Sequence, residues 1–146
     1  MNIRNALGSG MAGAVAVSAI HETVRRIVPN SPRMDLLGMD AISKVMEKSG
    51  KQPPAENRLF YMALAGDLVS NAIYYSLAGA NKPRNVWVRG AMLGAAAGIG
   101  AIMLPKPLGL KEEYSNRTTQ TKIMTFGLYL LGGVITAAVL NLSKKK

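Results

Sequence analysis

The sequence predicts an all-α, polytopic membrane protein: a bundle of four transmembrane helices with one amphipathic surface helix between the first and second spans. Apolar residues gather into long blocks instead of spreading into an amphipathic pattern. Each block reaches or nearly reaches the roughly 20 residues with which an apolar helix crosses about 30 Å of hydrocarbon. Charged residues make up 18% of the chain and fall mostly between the blocks, so a soluble domain would have too few polar residues to surround them. With 146 residues, the whole chain is expected to form one membrane domain, since single domains usually run to roughly 100–200 residues.

The first span is expected at 5–28. It is uncharged from 5 to 20 and continues through His21-Glu22-Thr23-Val24-Arg25-Arg26 to Pro29. Val17-Ser18-Ala19 has the small-residue look of a signal-peptide cleavage site, but the segment is expected to stay in place as a span. The amphipathic helix follows at 32–49, with Ser31 as N-cap, Pro32 as first helical residue and Gly50 as stop. Met34, Leu37, Ala41, Ile42, Val45 and Met46 recur at helical spacing, opposite Arg33, Asp40, Lys44, Glu47 and Lys48. Such a helix lies on the membrane surface or caps the end of the bundle. Pro53-Pro54 then break the chain.

The second span is expected at 57–81, with Asp67 the single charge from 59 onward. The third, at 85–104, carries Arg89 near its start and is closed by Pro105 and Pro107, because proline cannot continue a helix. The fourth, at 122–143, has no charge from 123 on and stops at Lys144-Lys145-Lys146. Gly90, Gly94 and Gly98 repeat every four residues beside Ala91 and Ala95, a face that admits the backbone of another helix. Gly8, Ala12, Ala16 and Ala19 form a similar strip on the first span, and Gly132, Gly133, Thr136 and Ala137 a shorter one on the fourth. These faces serve either packing within the chain or a subunit interface.

The net charge of +10 points to lipid headgroups and membrane topology rather than to nucleic acid, because the basic residues flank helices without forming an aromatic-interleaved patch. Arg33, Lys44 and Lys48 suit an anionic headgroup. Arg4, Lys82, Arg84, Arg89 and the terminal lysines crowd one side in short segments without acids, which favours both termini in the cytoplasm. Without cysteine there are no disulfides and no thiolate metal ligands.

Residues able to carry chemistry lie on the first two spans. At about 1.5 Å of rise per residue, His21 falls roughly 10 Å below the surface where the first span leaves the membrane, Glu22 about 9 Å, and Asp67 about 12 Å below that same surface. Asp67, Ser70, Asn71 and Tyr74 follow i, i+3, i+4, i+7 spacing and make one polar stripe. A buried ionisable group needs partners, so His21, Glu22, Arg25, Arg26, Asp67, Ser70, Asn71 and Tyr74 are expected to form a buried polar cluster. It would act as glue between helices, as a proton or ion relay, or as a binding pocket. The His-Glu start lacks the second histidine of a zinc-protease helix, since position 25 is arginine and His21 is the only histidine. Ser18 sits one turn from His21 without an assigned orienting acid, and there is neither a phosphate loop nor a nucleophile elbow in context. No catalytic residue, metal or cofactor is therefore expected.

The stretch His21-Glu22-Thr23-Val24-Arg25-Arg26-Ile27-Val28-Pro29, then Pro32-Arg33-Met34-Asp35-Leu36-Leu37-Gly38-Met39, resembles an uncharacterised family of small bacterial membrane proteins, as does Ala65-Gly66-Asp67-Leu68-Val69-Ser70-Asn71 with Tyr74-Tyr75-Ser76-Leu77. The resemblance implies a bacterial inner membrane and no particular reaction. Two functions remain open at this stage: a non-enzymatic assembly or accessory protein, self-associating or joined to a membrane protein partner, or a small transport or lipid-handling protein that uses the polar cluster.

Overall fold

The computed structural model describes residues 3–81 and 84–143, so Lys82 and the terminal lysines of the topology argument lie outside the described residues. The described chain is entirely helical between its turns, with no strand. In order it forms α1 (Ile3–Ile27), α2 (Met34–Lys48), α3 (Glu56–Ser76) with a 3-10 turn (Leu77–Gly79), α4 (Val86–Met103), α5 (Glu113–Asn116) and α6 (Thr119–Ser143).

Local chemistry accounts for most of the boundaries. Asn85 caps α4, its side-chain oxygen accepting from the Trp87 N–H at 3.0 Å and the Val88 N–H at 3.3 Å. Pro105 follows two residues after the last residue of α4. α2 ends at Lys48 and is stopped by Gly50 with φ +74°, where Gly50 N–H donates to the Glu47 carbonyl and Lys51 N–H to the Met46 carbonyl, the paired bonds of a left-handed helix stop.

Two expected boundaries are corrected. α2 does not start at Ser31-Pro32. The chain turns at Asn30 with φ +56°, and α2 begins at Met34 after Arg33, whose side chain makes no cap. Tertiary bonds outcompete the local helix start: Thr121 Oγ1 donates to the Asn30 carbonyl at 2.7 Å and Arg33 N–H to the Tyr114 carbonyl at 2.7 Å, with Ser31 and Pro32 buried between. The span expected to reach 81 leaves the α-helix at Ser76 and closes as a 3-10 turn, which brings Ala78 onto Val86 of α4 and Leu140 of α6. The connection after α4 holds the short helix α5, whose Ser115 carbonyl receives the Thr125 hydroxyl at 2.8 Å.

α6 packs mainly on α4 and then on α1, α1 packs on α3, and α3 meets α4 only sparingly. α2 lies across the start of α3 and caps that end of the bundle, where Met39, Leu59 and Ala63 form a small core. Its expected apolar face is rotated: Leu37 and Met39 are buried while Val45 is 65% exposed, because α2 packs against α5 as well as α3.

Gly90, Gly94 and Gly98 lie against α6. A Cβ there would stand 2.5 Å from the Gly133 carbonyl oxygen, 2.7 Å from that of Tyr129 and 2.9 Å from Phe126 Cα, respectively. On α1 the close line is not the Gly8, Ala12, Ala16, Ala19 strip. It is Gly10 against α3 and Gly13 against α6, while Gly8 has nothing within 4 Å of an added Cβ.

Among the described residues, α4 and α6 are the helices long and apolar enough by composition to cross a membrane. α1 and α3, at 25 and 21 residues, have the length. Small and polar residues on their inner faces, such as Ser9, His21, Asp67 and Asn71, lower their mean hydropathy.

Candidate functional site: a polar cavity between α1 and α3

α1 and α3 run antiparallel and place Ser18 and His21 beside Asp67 around one cavity of about 40 Å³, floored by Met34 and walled by Leu128 and Tyr129 of α6. That volume admits about one water, whose share of liquid is roughly 30 Å³. Asp67 accepts from Asn71 Nδ2 at 2.8 Å, one helical turn on, and from Ser18 Oγ at 3.4 Å across the interface. His21 is 8% exposed and points its Nε2 at the start of α2, 3.0 Å from the Pro32 carbonyl oxygen and 3.3 Å from the Met34 backbone nitrogen. One nitrogen cannot serve both at once: as N–H it donates to Pro32, and as the bare nitrogen of the other tautomer it accepts from Met34.

The expected cluster divides in two. Glu22 lines the same cavity, but its carboxylate is bound by Arg25 at 2.6 Å and Arg26 at 2.5 Å along its own helix instead of reaching Asp67. Arg25 continues to Asp35 at 3.7 Å and lies over the Phe60 ring at 5.8 Å. Asp35, which sequence reasoning missed, is the centre of this second group: its side chain is 6% exposed and meets Arg33 at 2.7 Å. The available signal was its place in the first turn of α2, where the helix dipole favours an acid. Burial works against its charge, but the Arg33 hydrogen bonds and the charges of Arg33 and Arg25 outweigh it and hold the carboxyl below its ordinary value. Arg33 in turn is raised, chiefly by its bonds to Asp35.

Of the expected members His21 and Asn71 are buried, Glu22, Arg25, Asp67 and Tyr74 are half-buried, and two are exposed. Arg26 leaves 68% of its side chain exposed, where burial would strand its charge, and Ser70 is exposed with its hydroxyl turned back onto the Asp67 carbonyl at 3.2 Å. Tyr74 reaches the other way, donating to the Leu93 carbonyl of α4 at 2.9 Å. The residues expected at a headgroup are not brought together either. Arg33 and Lys48 stand at opposite ends of α2, about 22 Å apart along its axis, and Lys44 is held by Asp40 at 3.2 Å and by the Gly109 carbonyl.

Compared with family models, curated proteins and solved structures, the chain matches none. Chemistry must therefore be argued from the geometry alone. Ser18, His21 and Asp67 are not a triad: the hydroxyl goes directly to the carboxylate, and the imidazole nitrogen to backbone, so no base stands between nucleophile and acid. Among the described residues no three potential ligands converge on a metal position. What the arrangement does offer is the carboxylates of Asp67, Glu22 and Asp35, the last two bound by arginines, with a hydroxyl and an imidazole around room for a water.

Proposed function

We propose that the chain is a four-span integral membrane protein of a bacterial inner membrane, with both termini in the cytoplasm, and that it works without catalysis as an assembly or accessory subunit. One observation carries the membrane reading: all four long helices turn apolar residues outward. α4 buries only 22% of its apolar stretch, where a core helix of a soluble protein would be mostly buried. Leu7, Met11 and Val15 face out from α1 at 46%, 45% and 48% exposure, and Val69 and Ile73 from α3 at 55% and 58%. At about half exposure each such side chain forgoes in water roughly half of the 1.5–3 kcal/mol of full burial, which hydrocarbon supplies. The bacterial source rests on the family resemblance described above.

The non-catalytic reading is supported by the inward groups, which are spent on one another and on backbone around a cavity too small for a substrate. Gly90, Gly94 and Gly98 of α4 are engaged by α6, so association would use an outward glycine face that stays open, as at Gly66 of α3, Gly8 of α1 and Gly127 of α6, and we take that of α3 as the one to test. Native mass spectrometry of the protein released from its own membrane tests this. A discrete homo-oligomer or a stoichiometric membrane partner is expected, with Gly66→Leu dissociating it; a lone chain at all concentrations contradicts it.

The cavity favours a second reading, proton or ion passage with Asp67 as the titrating group. That reading requires wild-type protein in proteoliposomes to carry a proton flux that Asp67→Asn abolishes. Equal flux from the variant removes it.

A further inference from the structure

α3 and α4 are pinned at one end and parted at the other. At the pinned end Tyr74 Oη donates to the Leu93 carbonyl at 2.9 Å and Arg89 donates to the Ala80 carbonyl at 2.7 Å. Beyond it the helices diverge around a groove of about 540 Å³, a volume usual for small-ligand pockets, which run to roughly 300–1,000 Å³. Its α4 wall is Ala96, Ala97, Gly100 and Ala101, a smooth strip continued by Leu104, about 12 Å long from Ala96 at 1.5 Å per residue. Leu37 of α2 and Leu108 of the following loop close the far end.

The polar groups that reach this groove from α3 are already engaged: Ser70 with the Asp67 carbonyl, Tyr74 with that of Leu93, and Asn71 with the Asp67 side chain. Its lining is therefore suited to hydrocarbon. The closed end is basic, with Lys106 and Lys111 in the loop beside Leu108 and Lys44 bonded to the Gly109 carbonyl between them. Among the described residues Asp40 pairs with Lys44 and Glu112 with Lys106, while Lys111 lies over the Tyr114 ring at 5.9 Å, which leaves the lysines in excess by one charge. A partner helix, about 10–12 Å across with its side chains, would have to force apart the pinned end and the α2 floor; a single hydrocarbon chain would not.

We propose that the groove between α3 and α4 holds one acyl chain of a phospholipid whose anionic phosphate rests at the Lys106 and Lys111 rim. The site rests on the membrane reading above, and the two fail differently. Extraction of the chain into the supernatant by alkaline carbonate would remove the membrane reading before any lipid is measured.

The test uses the full chain in nanodiscs of equal phosphatidylglycerol and phosphatidylethanolamine, released into native mass spectrometry. Wild type is expected to retain one phospholipid per chain, phosphatidylglycerol preferred. Ala97→Trp fills the groove and should lower the retained fraction at least about tenfold, a change of about 1.4 kcal/mol in affinity. Met92→Trp, on the outward face at 67% exposure, should retain lipid as wild type does. The double variant Lys106→Gln, Lys111→Gln should keep a lipid but lose the preference. If circular dichroism shows Ala97→Trp unfolded, Ala101→Phe takes its place. Equal retention by the groove variant, a bare folded wild-type chain, displacement of the lipid by inorganic phosphate, or a second protein copy in its stead would each overturn the proposal.

Discussion

At the scale of single residues the most heavily committed group is Asp35, buried between Arg33 and Arg25. Its folded carboxyl lies below its unfolded value, so its stabilisation is present above the unfolded pKa, about 3.9, and is lost as pH falls through the folded one. Thermal unfolding in detergent should therefore give a flat Tm from neutral pH to about 5 and a decline below about 4. Asp35→Asn should lose about 1–3 kcal/mol at neutral pH, the usual consequence of stranding a buried partner, and should lack the acid decline. A variant that follows wild type at every pH contradicts this account. The sequence carried the depth of His21 and Asp67, because helical rise alone puts them level, and both line one cavity. It did not carry the choice made by Glu22, which has arginines one turn away on its own helix and no need to reach α3. Nor did it mark Asp35, whose second partner, Arg25, comes within reach only when the chain turns back between α1 and α2.

At the scale of elements, contact depends on which small residues are turned inward. Gly90→Ala places a methyl 2.5 Å from the Gly133 carbonyl oxygen and should destabilise the fold by about 1–3 kcal/mol, the range for overpacking. Gly8→Ala meets open space and should be neutral or stabilising by up to about 1 kcal/mol through helix propensity. Unfolding of both variants in mixed micelles checks the pair; equal effects would mean that α4 and α6 are not in this close approach. Periodicity singled out the α4 face because Gly90, Gly94 and Gly98 recur at every fourth position. On α1 small residues occur on several faces, and spacing alone could not favour Gly10 and Gly13 over Gly8 and Ala12. The start of α2 was misread for a related reason: Ser31-Pro32 is a sound local helix start, but bonds from α6 and to α5 hold it extended.

At the scale of the whole molecule, block length and patterning made the helical class legible, because long uncharged apolar stretches leave few other folds. The number of spans was less so. α1 and α3 combine an apolar outer face with a small or polar inner one, and averaging the two conceals the outer face. The central claim is that these two helices cross the membrane with α4 and α6. The chain has no native cysteine, so single cysteines report position without background. The most direct measurement is labelling of Arg4→Cys, Ser49→Cys, Arg84→Cys and Lys106→Cys in intact and permeabilised cells with an impermeant maleimide. Four spans place Arg4 and Arg84 on one side and Ser49 and Lys106 on the other. If only α4 and α6 cross, Ser49 labels with Arg4 and Arg84, leaving Lys106 alone, and that pattern would contradict the account.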